Sequence, residues 1–189
     1  YINALLKVGF DTIDFGSFVS PRAIPQMADT KEVSQKIKSQ NSKTKLLAII
    51  ANERGAQDAV VFDEISYLGF PFSVSETFQM RNTNSSIIQS MVRVEEIQDL
   101  CIKNKKELVV YISMGFGNPY GDVYNEAIVF DWVNKLVDMD IKIISLADTV
   151  GLATKEQVYQ VTKYLVDSLP ETEIGVHLHS TPANWKEKV

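Results

Sequence analysis

A regular exchange between two kinds of segment constrains this chain more than any other feature. Short apolar runs alternate with longer stretches whose apolar residues recur every three or four positions. The short runs are 11–16, 45–51, 65–72, 108–114, 141–147 and 174–178. Several are continuously apolar, as strands covered on both faces are. Between them, 86–103 places Ile87, Met91, Val94, Ile97 and Cys101 on one helical face, and 126–139 does the same with Val129, Val133, Leu136 and Met139. Thr154 and Gln157 form a capping box that opens a helix with Val158, Val161 and Leu165 inward. Shorter helices are predicted near 30–39 and 53–63.

Strict strand–helix alternation implies right-handed βαβ units and a parallel sheet. The repeat is about 32 residues, and eight such units make roughly the 250 residues of a closed (β/α)8 barrel. The 189 residues open with Ile2, Leu5 and Leu6 at helical spacing before Gly9, and close on Asn184–Val189, which reads as the start of another helix. The expectation is a single domain over 1–189: a (β/α)8 TIM barrel of which about six strands are covered, lacking the first strand and the last βα unit or units. The alternative is a complete six-stranded doubly wound sheet. That fold calls for a Gly-rich phosphate turn, and the Gly-rich segment 114–121 lacks the G-x-G-x-x-G spacing.

Composition removes other classes. Nineteen basic against twenty-four acidic residues give a net charge of −5, which argues against nucleic-acid or anionic-membrane binding. No apolar run is long enough to span a bilayer. The one cysteine, Cys101, excludes an internal disulfide framework and a cysteine-based zinc site, and fits a reducing compartment. Its helical spacing makes it a core residue, not a nucleophile.

His177-Leu178-His179 holds both histidines of the chain. At i and i+2 on a strand they share a face, and two neutral imidazoles make half of a divalent metal site. Two unrelated histidines at a strand end remain the alternative. Asp14 and Asp148 each end a strand run, where barrel enzymes keep their sites. Either serves as a site acid on the rim that holds the histidines or as a loop cap. Ser145 follows the same apolar run as Asp148. The loop 17–29, stiffened by Pro21 and Pro25, has the length of a site-forming loop. Arg22, Arg54 and Arg81 are candidates for an anionic ligand or for plain surface residues.

Several of these segments resemble hydroxymethylglutaryl-CoA lyases. The resemblance rests on Phe18-Val19-Ser20-Pro21 with Pro25-Gln26-Met27-Ala28-Asp29, on Tyr111-Ile112-Ser113 with Gly117-Asn118-Pro119-Tyr120, on Ile144-Ser145-Leu146-Ala147-Asp148-Thr149-Val150-Gly151, and on His177-Leu178-His179. It implies a metallolyase barrel that cleaves 3-hydroxy-3-methylglutaryl-CoA to acetyl-CoA and acetoacetate with Mg²⁺ or Mn²⁺. It also implies His177 and His179 as metal ligands, with His177 and Asp148 in catalysis. Ser17, Ser145, Thr149 and Asp14 are placed at the substrate. An acyl-CoA is the implied partner, a homodimer the candidate assembly, and the cytoplasm the location if the source is bacterial. Asp14 stands where the family has glutamate, and Ser180 where an aspartate commonly follows the histidines. Met114 and Asn118 stand where relatives often have cysteines. The family's first-strand Arg-Asp pair would precede Tyr1, and its reactive cysteine and asparagine ligand would follow Val189, so the fragment alone is expected to be inactive. Two alternatives stand beside the lyase: a related acyl-CoA-condensing synthase of the isopropylmalate or homocitrate type, and a catalytically inactive barrel acting as a binding protein.

Overall fold

A computed structural model describes residues 1–39 and 42–188, and every predicted strand is present, with ends shifted by at most two residues. They are β1 (Thr12–Ser17), β2 (Lys45–Ile49), β3 (Ile65–Ser73), β4 (Glu107–Ser113), β5 (Ile143–Asp148) and β6 (Glu173–Leu178). They hydrogen-bond in chain order, β1-β2-β3-β4-β5-β6. The β1–β2, β2–β3, β4–β5 and β5–β6 ladders are parallel. A doubly wound sheet reverses its strand order at a switch point, and no reversal occurs here. The fold is that of part of a (β/α)8 barrel.

The helices are α1 (Ile2–Leu5), α2 (Thr30–Ser34), α3 (Glu53–Val60), α4 (Glu76–Thr83), α5 (Ile87–Lys103), α6 (Glu126–Asp138), α7 (Lys155–Ser168) and α8 (Trp185–Lys188). The inward faces of the long helices are as predicted: Val94, Ile97, Cys101, Val129, Val133, Leu136 and Val161 are fully buried. The predicted helix at 30–39 shortens to α2, where the Ser34 hydroxyl donates back to the Thr30 carbonyl, a bond that weakens helix continuation. Helix α1 ends at Leu5, and Gly9 adopts its φ of +89° beyond it, in the turn into β1. Helix α4 was not predicted. It is set by the Ser75 hydroxyl, which accepts the Phe78 N–H, and by Asn84 in the left-handed region at φ 51°.

The chain divides into two compact units. The first comprises 1–70 and 93–108. There Leu6, Ile13, Ile37 and Leu46 form a buried cluster, with Ile2, Leu5, Phe15 and Val33 packed against it. Helix α3 starts so close to the first βα loop that a Cβ on Gly55 would lie 2.7 Å from the Phe18 carbonyl oxygen. The second unit comprises 71–92 and 109–189. Its core includes Val110, Ile112, Ile144 and Leu146 from the strands and Val133, Leu136 and Leu165 from the helices. Each such side chain contributes roughly 1.5–3 kcal/mol of burial free energy. No helix among the described residues is long and apolar enough to cross a membrane.

Candidate active site

The site is built in the second unit by the ends of β5 and β6. Their register pairs Ser145 with Gly175, Ala147 with His177 and Asp148 with Leu178. Strand parity therefore puts Ser145 and His177 on one face, and Asp148 with Leu146 and Leu178 on the other. Gly175 leaves room over Ser145: a Cβ there would only touch Ser145 Oγ, at 3.8 Å.

The two histidines come together as predicted, with ring centroids 5.3 Å apart. Tyr111 meets His177 edge-on at 6.3 Å. His179 Nδ1 lies 2.7 Å from the Thr149 carbonyl oxygen. A carbonyl can only accept, so Nδ1 carries a proton, and in the neutral ring Nε2 keeps a free lone pair. Backbone carbonyls orient metal-ligating imidazoles in this way. The pair fits half of a divalent metal site. No cluster of three His, Cys, Asp or Glu side chains able to hold a metal occurs among the described residues. The remaining ligands would be oxygens of substrate, of water or of other protein groups.

The other predicted residues divide by whether the fold already uses their polar atoms. Asp148 is 2% exposed. Its Oδ1 accepts the Ala153 N–H at 3.1 Å, and its Oδ2 accepts from Lys188 Nζ at 2.6 Å. Asp148 thus sits at the strand end that bears Thr149, but its carboxylate is turned into a loop cap and an ion pair. Thr149 Oγ1 accepts the Met114 N–H at 2.9 Å, tying the β4–α6 loop to β5. Beside it, a Cβ on Gly115 would come within 2.9 Å of the Ile112 carbonyl oxygen, so only glycine fits that turn. Ser145 Oγ and both ring nitrogens of His177 make no hydrogen bond among the described residues.

In the first unit, Ser17 ends β1 and is buried; its hydroxyl donates to the Ile49 carbonyl and accepts the Val19 N–H. Asp14 lies at an irregularity in the β1–β2 register. Surrounding protein pushes its carboxyl from 3.8 up to about 6, against a backbone hydrogen bond from Gly16 that lowers it. The side chain nevertheless reaches solvent.

Sequence reasoning missed Lys188, whose contact with Asp148 spans 40 positions and leaves no local signal. It also missed Asp122, which accepts from the Ser75 hydroxyl, the Thr77 N–H and the Thr77 hydroxyl. These bonds, the Ser75 hydroxyl first, hold its carboxyl below the ordinary carboxylate range. Arg81, a candidate anion contact, lies over the Tyr120 ring at 4.9 Å. Arg22 and Arg54 are exposed. Cys101 is core, as expected, and burial pushes its thiol up to about 12.

A family described as HMGL-like matches residues 1–183. The chain belongs to the HMGL-like family. It is 32% identical over 183 residues to the cytoplasmic 3-hydroxy-3-methylglutaryl-CoA lyase of Rattus norvegicus, covering 96% of this chain and 52% of that protein. It is 31% identical over 182 residues to the hydroxymethylglutaryl-CoA lyase YngG of Bacillus subtilis, covering 96% of this chain and 60% of that one. Among solved structures, the HMG-CoA lyase of Acinetobacter baumannii, in complex with coenzyme A and 3-methylmalate, superposes with a TM-score of 0.90 at 30% identity, over 99% of this chain and 60% of that chain. The Bacillus subtilis HMG-CoA lyase gives 0.91 at 28% identity, over 99% and 62%. The chain thus spans about half to three fifths of the length of these relatives. The HMGL-like match contains every predicted site residue from Asp14 to His179, while Lys188 lies beyond it.

Proposed function

We propose that the whole protein is a carbon–carbon lyase that cleaves 3-hydroxy-3-methylglutaryl-CoA to acetyl-CoA and acetoacetate, and that residues 1–189 form part of a single (β/α) barrel domain. The family match over 1–183 and the names of the relatives support this reading. The coenzyme A bound by the Acinetobacter relative supports an acyl-CoA substrate. The observation that carries it is the His177–His179 pair, whose ring nitrogens, apart from His179 Nδ1, make no hydrogen bond among the described residues.

In the proposed reaction the tertiary hydroxyl at C3 loses its proton and the C2–C3 bond breaks. C3 becomes the ketone of acetoacetate. The electron pair passes to the thioester enolate, which is protonated at C2 to give acetyl-CoA. His177 and His179 would hold the divalent ion, Mg²⁺ or Mn²⁺; an imidazole pair suits Mn²⁺ better than the oxygen-seeking Mg²⁺. When bound, such an ion supplies Lewis-acid polarisation of substrate oxygens. One ring nitrogen of His177 suffices for ligation, and the other remains for proton exchange with the substrate. Ser145 Oγ, which makes no hydrogen bond among the described residues and lies on the face of His177, donates to the acyl portion. Asp14, whose carboxyl desolvation raises to about 6, is assigned to the substrate by the family resemblance alone. Ser17 and Thr149 shape the loops near the acyl group, and Asp148 orients the β5 end.

The test uses the full-length protein and follows acetoacetate formation from 3-hydroxy-3-methylglutaryl-CoA. His177→Ala is expected to lower kcat by about 10²–10⁴-fold and to weaken Mn²⁺ binding. No turnover by the unaltered protein, or a variant with normal turnover and Mn²⁺ affinity, rejects the reading.

A further inference from the structure

The pair Lys188–Asp148 differs in kind from the other ion pairs described. Its side chains are 5% and 1% exposed, whereas Lys31–Asp58 and Lys135–Asp131 keep every partner at 39% or more. Burying an ammonium is costly unless its protons are matched, and here all three find acceptors. Lys188 Nζ donates to Asp148 Oδ2 at 2.6 Å, to the His179 carbonyl at 2.9 Å and, more weakly, to the Gly151 carbonyl at 3.4 Å. The second carboxylate oxygen is satisfied by the Ala153 N–H.

These acceptors are not scattered. Asp148 and Gly151 bracket Thr149, whose carbonyl receives the proton of His179 Nδ1. The third acceptor is the carbonyl of His179 itself. One ammonium therefore grips both sides of the bond that fixes the imidazole. We infer that Lys188 is a positioning residue: by clamping Asp148, Gly151 and His179 it holds the His179 ring against Thr149 and so keeps Nε2 free and aimed. Asp148 is then the fixed counter-ion of the clamp, not a group that exchanges protons during turnover. The consequence for catalysis rests on the lyase reading; the clamp does not.

The experiment uses full-length protein with ¹⁵N-labelled histidine at about pH 8, above the ordinary imidazole range. In the unaltered protein the ring shifts of His179 should show a proton on Nδ1 and none on Nε2; the opposite pattern overturns the inference without any variant. Lys188→Met strands the Asp148 charge and is expected to fold poorly, so the deciding variant is Lys188→Met with Asp148→Asn, which removes both charges. Folded by circular dichroism, it should show mixed His179 tautomers and an Mn²⁺ Kd raised about 10–100-fold, the usual effect of losing a group that orients a ligand. A folded double variant that keeps either the Nδ1 proton or the original Kd makes the pair purely structural and overturns the inference. Both changes occurring in a protein that does not cleave 3-hydroxy-3-methylglutaryl-CoA would leave the clamp standing and reject the lyase reading.

Discussion

Asp14 shows how one residue carries the electrostatics of its strand into a measurable pH dependence. Its carboxyl is raised from 3.8 to about 6 in the folded protein, chiefly through desolvation. Between those values the native state binds more protons than the unfolded chain, so stability falls as pH rises through the window. Asp14→Asn removes that fall. Urea unfolding of the full-length protein from roughly pH 4 to 6 should show the variant losing less stability, or gaining more, as pH rises than the unaltered protein does; identical slopes would contradict the assigned cause. The histidine pair was legible in the sequence because two imidazoles at i and i+2 must share a strand face. The spent state of Asp148, Thr149 and Ser17 was not, because their partners Lys188, Met114 and Ile49 lie 32 to 40 positions away. A serine or aspartate at a strand end looks the same in sequence whether it faces a substrate or a backbone amide.

At the level of elements, those with an apolar stripe were read correctly and those without one were not. Helix α5 buries Ile87, Met91, Val94, Ile97 and Cys101 at the predicted spacing. Helix α4, Glu-Thr-Phe-Gln-Met-Arg-Asn-Thr, offers no such stripe, and Gln79 is its buried residue. It is held by polar bonds instead: the Gln79 side chain accepts the Ser73 N–H and donates to the Ser90 hydroxyl, while Glu76 accepts the Ile87 N–H. Tertiary hydrogen bonding of this kind has no period to detect. Helix α7 is the opposite case, since its capping box is local and forms as read, with Thr154 and Gln157 each bonding the other's backbone. Thr154→Ala should cost about 0.5–2 kcal/mol of stability, measured as a lower urea midpoint at constant m; an unchanged midpoint would show the cap to be dispensable.

For the whole molecule, the period of the strands was enough to indicate a barrel, and the unreversed strand order agrees with it. What periodicity did not reveal is the division into two compact units. That division cuts across β3, α5 and β4, each of which contributes residues to both units. Because these three elements run through both units, opening is expected to be shared along each of them. Native-state hydrogen exchange should therefore give amides along β3, on either side of Phe70, the same opening free energy. Clearly different values would mean that the units unfold separately.

The same division gives Cys101 an unusual setting. It is fully buried on the part of α5 that belongs to the first unit, and its thiol is pushed up to about 12. At pH 7 the thiolate fraction is then only about 10⁻⁵. Since the thiolate is the form that attacks a peroxide or a disulfide, this segment is redox-silent while it is folded. Oxidative damage here would follow opening of the helix and could not precede it.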